Sequence, residues 1–266
     1  MKQRVVTAII AGAVYLFLLW IGSLPFAIFA VLLAIISFKE LAAMKKLAWT
    51  STVGLISSAS VALLVLEAVF ETEHLPHTGG FSVKLLVLLA LVLLAATVFS
   101  KNRFQFEQAA FVLFAVFYLG FSFYLLVHLR YQSLLLLLFV QIVIWTTDSG
   151  AYFVGRKWGK HKLAAHISPN KTIEGALGGA ACALLIGLIY QALIRTPLFS
   201  SPALLVSTTL VIAASGQLGD LAESAVKRYY MVKDSGNILP GHGGIFDRFD
   251  SLIFVLPLLY LLGIIN

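Results

Sequence analysis

Charge and cysteine are the scarce ingredients of this 266-residue sequence, and each shortage excludes something. Asp, Glu, Lys and Arg together make up 12% of the chain, about half the ~25% typical of a soluble globular domain, while hydrophobic residues reach 60%. Such a composition cannot keep a soluble surface wet, so the main solvent is lipid. That excludes a disordered tail, a secreted disulfide scaffold and a free nucleic-acid-binding module, and no nucleic acid partner is expected. With Cys182 as the single cysteine, neither an intrachain disulfide nor a cysteine metal cluster can form. Cys182 lies in the apolar run GGAACALLIGL and reads as a buried packing residue. Zinc patterns of the H-E-x-x-H or H-x-x-E-H kind, a P-loop and a G-x-S-x-G elbow are also missing.

What the sequence does have is long apolar runs. A helix rises about 1.5 Å per residue, so a ~30 Å hydrocarbon core takes about 20 residues. Residues 5–38 are too long for one crossing, at about 51 Å, and Gly22-Ser23-Leu24-Pro25 breaks them into two. Further runs near 52–70, 85–99, 109–128, 134–153, 175–194, 203–222 and 251–265 bring the expectation to about nine transmembrane helices in an all-α polytopic membrane protein. Lys2 and Arg4 before the first run resemble the start of a signal peptide, but the apolar stretch is too long for one and reads as an anchor. Cytoplasmic loops collect Lys and Arg. With the N-terminus in the cytoplasm, sixteen of the 19 cations fall inside and only Lys84, Arg130 and Arg195 outside. The acidic loop at Glu71 and Glu73 and the uncharged C-terminus then lie outside. Residues 39–50 read as a short surface helix or a connecting loop.

Polarity divides the chain further. Residues 1–147 read as a lipid-embedded region of about six spans, the sixth continuing into the next segment. Residues 148–266 hold two polar cytoplasmic segments, 148–175 and 220–250, and read as the catalytic region. Asp148 follows Trp145-Thr146-Thr147 at the end of a span, where an ionised carboxylate needs a partner or a wet cavity. Downstream, Ser168 or Asn170 is placed to cap the next helix. The same helix start, with Lys171 and the Thr172 hydroxyl, suits a phosphate. Gly175-x-x-x-Gly179 reads as a helix-packing contact. In the second segment, if its helix continues past Gly219, Asp220, Glu223, Ser224 and Lys227 share one face. Pro240-Gly241-His242-Gly243-Gly244 must turn, with His242 either a turn residue or a ligand contact, and Asp247, Asp250 and Ser251 share a face beyond it. Carboxylates and cations gathered in this way suit a phosphate ester handled with Mg²⁺, which takes oxygen ligands and typically one or two protein carboxylates. Lys and Arg neutralise the remaining phosphate charge.

From Ser224 to Asp250 the sequence reads S-x-V-K-R-x(4)-K-D-S-G-x-x-L-P-G-H-G-G-I-x-D-R-x-D. This pattern closely resembles the motif of the phosphatidate cytidylyltransferase (CDP-diacylglycerol synthase) family. The first segment is similar too, with Ser149 standing where threonine is expected. The resemblance implies CTP and phosphatidate as substrates, CDP-diacylglycerol and pyrophosphate as products, and a bacterial-type cytoplasmic membrane with the active site facing the cytoplasm. It further implies a homodimer and a metal centre of Mg²⁺ paired with K⁺ on Asp220 and Asp247, with Asp148 and Glu223 as further candidate ligands. Lys227 and Arg248, with those two aspartates, are the implied catalytic groups. Ser168, Lys171, Thr172, Ser224, Arg228, Lys233, His242 and Asp250 are the implied substrate contacts. Two rival classes fit less well. A secondary transporter would put its charges at mid-span, and the D-G-x-x-A-R…G-x-x-x-D-x-x-x-D pattern of CDP-alcohol phosphotransferases is absent. A polyprenol or dolichol kinase of related architecture is a further alternative.

Overall fold

The computed structural model describes residues 2–72, 80–194, 196–239, 241 and 243–265. Glu73, Arg195 and His242 lie outside the described residues. Nine helices appear among those described: α1 (Lys2–Ile21), α2 (Ser23–Met44), α3 (Thr52–Thr72), α4 (Phe81–Phe99), α5 (Phe106–Gln132), α6 (Leu134–Trp158), α7 (Ile173–Leu193), α8 (Pro202–Tyr229) and α9 (Phe246–Leu261). Seven of them, α2 to α8, are long and apolar enough to cross a membrane. The chain is an all-α polytopic membrane protein in its main architecture. One small departure is a two-stranded antiparallel hairpin, β1 (Lys162–Ala164) and β2 (Ser168–Thr172), in the first polar segment.

Two compact units divide the chain. The first holds residues 1–132 and 232–248, the second 133–231 and 249–266. The boundary at Asp148 drawn from polarity is therefore a chemical division, and the compact units follow a different one.

In the first unit α1 gives way to α2 at Gly22, whose φ of +69° is a left-handed value that glycine adopts without a Cβ clash. The break is fastened by Arg130 of α5, whose Nε and Nη2 donate to the carbonyls of Leu19 (2.6 Å) and Trp20 (3.0 Å). These carbonyls are orphans of the α1 C-terminus. Helices α2, α3 and α5 pack around Phe26, Phe38, Val61, Val65, Leu119 and Phe123, all fully buried. α4 fully buries only Leu89 and Leu93, and the rest of its apolar surface is half-buried or exposed. Residues 39–44 continue α2 to Met44, where a separate surface helix or a loop was expected. The reason is that Glu40, Leu41, Ala42 and Met44 are buried, so this stretch has a packed face.

In the second unit the seam between α6 and α7 is made of glycine. A Cβ on Gly179 would sit 2.5 Å from the Thr147 carbonyl oxygen, and one on Gly175 would sit 2.7 Å from that of Ala151. Cys182 packs at Gly150 in the same seam and is half-buried. This contact carries α6 ten residues past Asp148, which stands within the helix instead of at its end. Arg156 and Lys157 in the last turn favour the negative end of the helix dipole. Gly179→Val should pry the seam apart, at a cost of roughly 1–3 kcal/mol for an overpacked contact. A lower thermal midpoint of the detergent-solubilised variant is the expected reading.

Candidate active site

In the second unit α8 continues as a helix beyond Gly219 to Tyr229, and its polar face carries Asp220, Glu223, Ser224 and Lys227. Ser224 Oγ donates to Asp220 Oδ1 at 3.4 Å. Lys227 Nζ lies 2.6 Å from Glu223 Oε2, one turn away, and Glu223 is 3% exposed. α9 approaches this face closely, since a Cβ on Gly219 would stand 2.9 Å from the Asp250 carbonyl oxygen. One carboxylate oxygen each from Asp220, Glu223 and Asp250 then lies within 4.8 Å of the others. Asp148 of α6 is near enough to repel both Asp220 and Asp250 and to attract Lys171.

Lys171 reaches the cluster from strand β2 and places Nζ 2.6 Å from Asp220 Oδ2. Its strand is held by local geometry. Thr172 is the N-cap of α7, its Oγ1 accepting from Gly175 N at 3.1 Å, which is the task expected of Ser168 or Asn170. Both of those residues are instead strand residues of β2. Glu174 accepts from Lys160 N and His161 N and meets His161 Nδ1 at 2.6 Å, closing the segment before β1. The exposed Arg228 donates through Nε to the Ile167 carbonyl (3.3 Å) beside Ser168.

This donor set consists of oxygen alone. At full ionisation the four carboxylates face two ammoniums, leaving two negative charges unbalanced. Two like charges 4.8 Å apart repel by roughly 3–4 kcal/mol at an effective dielectric near 20. A divalent hard cation fits both the geometry and the excess charge.

In the first unit the loop from Ser235 to α9 is folded around two other carboxylates. Asp247 Oδ2 accepts from Ser235 N (2.9 Å), Ser235 Oγ (2.9 Å) and Gly244 N (2.8 Å). Gly243, at φ +83°, makes the turn possible, and Leu239 N donates to its carbonyl at 3.1 Å. Lys233, just before this loop, and Arg248, in the first turn of α9, are exposed, and Asp247 is half-buried. Glu40, which the sequence reading passed over within residues 39–50, is 5% exposed and accepts from Ile245 N, Phe246 N and Ser235 Oγ. The sequence signal was a lone carboxylate following the apolar run of α2, costly to bury without donors. The expected site residues thus fall into two groups. Asp148, Ser168, Lys171, Thr172, Asp220, Glu223, Ser224, Lys227, Arg228 and Asp250 lie in the second unit, and Lys233, Asp247 and Arg248 in the first.

By class this is a helical membrane protein with a carboxylate and lysine cluster gathered from α6, β2, α8 and α9. Its family is shown by similarity along the whole chain. Residues 2–265 match the cytidylyltransferase family, and the protein belongs to it. It is 43% identical over 265 residues to the phosphatidate cytidylyltransferase of Bacillus subtilis strain 168, covering 98% of this chain and 97% of the relative. It is 45% identical over 267 residues to the enzyme of the same name from Staphylococcus epidermidis, and 45% over 263 residues to that of Staphylococcus aureus strain COL. In both comparisons 98% of each chain is covered.

Proposed function

We propose that the protein is a phosphatidate cytidylyltransferase, transferring CMP from CTP to phosphatidate to give CDP-diacylglycerol and pyrophosphate. The observation that carries this reading is the oxygen-only cluster of Asp220, Glu223 and Asp250 flanked by Lys171 and Lys227, in a chain similar end to end to enzymes of that name. Asp220, Glu223 and Asp250 would hold a Mg²⁺ ion, with Asp148 adding negative charge nearby. When bound, the ion supplies charge neutralisation at the triphosphate. Asp247 and Arg248 keep the metal-binding and phosphate-binding roles that the motif implies, and a companion K⁺ and a homodimer belong to the same proposal. Both rest on the resemblance.

A phosphate oxygen of the lipid attacks the α-phosphorus of CTP, a new P–O bond forms, and the bond to the β-phosphate breaks with its electrons leaving on pyrophosphate. The protein's own part is positioning and electrostatics. Lys171 and Lys227 offer ammoniums already gathered on the cluster, which pass to phosphate oxygens as the substrate's charge arrives. Ser168, Thr172 and Ser224 offer hydroxyls. Arg228 and the exposed Lys233 meet the outer phosphates, and His242 is assigned to the substrate as well. With nine crossings and the N-terminus inside, both polar segments would face the cytoplasm. Soluble CTP and the phosphatidate headgroup meet there, at the face of a bacterial cytoplasmic membrane.

Purified protein given labelled CTP, phosphatidate and Mg²⁺ should form labelled lipid and an equal amount of pyrophosphate. EDTA should abolish the product and excess Mg²⁺ should restore it. Absence of labelled lipid overturns the activity, and product formation untouched by chelation overturns the metal.

A further inference from the structure

Glu40 belongs to no motif, yet the loop ahead of α9 is folded around it. Its Oε1 accepts from Ile245 N at 2.9 Å, and its Oε2 accepts from Phe246 N at 2.9 Å and from Ser235 Oγ at 3.0 Å. Room for the carboxylate comes from two glycines of the motif. A Cβ on Gly236 would stand 2.5 Å from Glu40 Oε1, and one on Gly244 would run into Oε2. Phe246 opens α9 and Ile245 precedes it, so their N–H groups are among those a helix start leaves without internal partners. An anion there also meets the positive end of the helix dipole. Glu40 therefore does from α2 what a cap residue does locally. Ser235 adds a second link. Its hydroxyl stands 3.0 Å from Glu40 Oε2 and 2.9 Å from Asp247 Oδ2, and its single proton joins the two carboxylates.

We infer that Glu40 is a positioning residue for cytidylyl transfer: by capping α9 and holding Ser235 it fixes the loop that presents Asp247 and Arg248. This rests on the roles proposed above for those two residues. Glu40 touches no substrate. It acts through the backbone of Ile245 and Phe246 and through Ser235, and a displacement of the supported groups by about 1 Å is enough to cost ~10²-fold in rate.

The test uses the full-length protein in detergent, with steady-state kinetics for CTP and phosphatidate and a Mg²⁺ titration of each variant. Glu40→Gln keeps the shape but turns an amide N–H₂ toward N–H donors. It should lower kcat by ~30- to 100-fold, change both KM values less than about threefold, and raise the Mg²⁺ needed for half-activity. Glu40→Asp keeps the charge and should return turnover to within about tenfold of wild type. Ser235→Ala should give a smaller loss, about tenfold, with the same kcat-weighted pattern. A folded Glu40→Gln variant with wild-type kcat and Mg²⁺ response overturns the inference. If Glu40→Gln does not fold, Ser235→Ala decides, and its turning over at the wild-type rate overturns the inference equally. A wild-type preparation that makes no labelled lipid defeats the proposed function and this inference with it. An active wild type beside an unaffected Glu40→Gln defeats this inference alone.

Discussion

Asp220→Asn should reduce CMP transfer by about 10³-fold, the scale of losing one preorganised electrostatic group at a reacting centre, while the protein still inserts and elutes as wild type. The substitution keeps the side chain's size and removes its charge. It turns one of three carboxylates whose oxygens lie within 4.8 Å of each other into a neutral amide, which Lys171, now 2.6 Å from Asp220 Oδ2, would then face. The remaining carboxylates, Glu223 and Asp250, should then need more Mg²⁺ to reach half of the residual activity. Lys171→Ala is the natural companion. It removes the ammonium and leaves the oxygen set whole, so its loss should be nearer tenfold, in line with one phosphate contact at about 1.4 kcal/mol. Steady-state assays across a Mg²⁺ series separate the two. If Asp220→Asn stays within tenfold of wild type, Asp220 is not a ligand of the metal.

Asp247→Asn should cost about 10²-fold or more in turnover, for a different reason. Asp247 Oδ2 is the common acceptor of Ser235 N, Ser235 Oγ and Gly244 N. Hydrogen bonds to a charged acceptor contribute about 1.5–3 kcal/mol each, against about 1 for neutral pairs. An asparagine that keeps its oxygen toward these donors holds the loop more weakly and puts an N–H₂ where Oδ1 was. Loss of turnover with an intact elution profile is the expected result. A variant with wild-type kcat would remove Asp247 from the reaction.

Much of this was legible in the residues before any coordinates. Apolar length alone located the helices, because a bilayer demands about 20 residues per crossing wherever it is met, and Gly22 marked the first break. The face shared by Asp220, Glu223, Ser224 and Lys227 followed from helical periodicity once the helix was taken past Gly219. Periodicity cannot report which distant elements meet. That Lys171 finds Asp220 across 49 positions, or that Asp250 closes on Glu223, depends on how α7, α8 and α9 pack. The hairpin was missed because Ser168-Pro169-Asn170 has turn composition, and what pairs Lys162 with Thr172 is the closure between α6 and α7. Glu40 was missed for the opposite reason. Flanked by Lys39, Lys45 and Lys46, it looked like part of a solvated surface, and only its backbone donors 205 and 206 positions away show it to be interior.

The hairpin between α6 and α7 behaves like a workshop jig. Thr172 is seated among Gly155, Gly159 and Gly175, Ile173 N bonds the His161 carbonyl, and Arg228 pins Ile167 at the tip. Both feet of the hairpin are thus clamped before any nucleotide arrives. Ordering a backbone residue costs about 1–2 kcal/mol, and here that entropy is lost during folding instead of during catalysis. The tolerances differ along its length. An added residue at positions 165–166 would lengthen the tip and disturb the contact that Arg228 makes there. One added between Lys171 and the glycine seat would slide the ammonium by about 3.3 Å, off its mark.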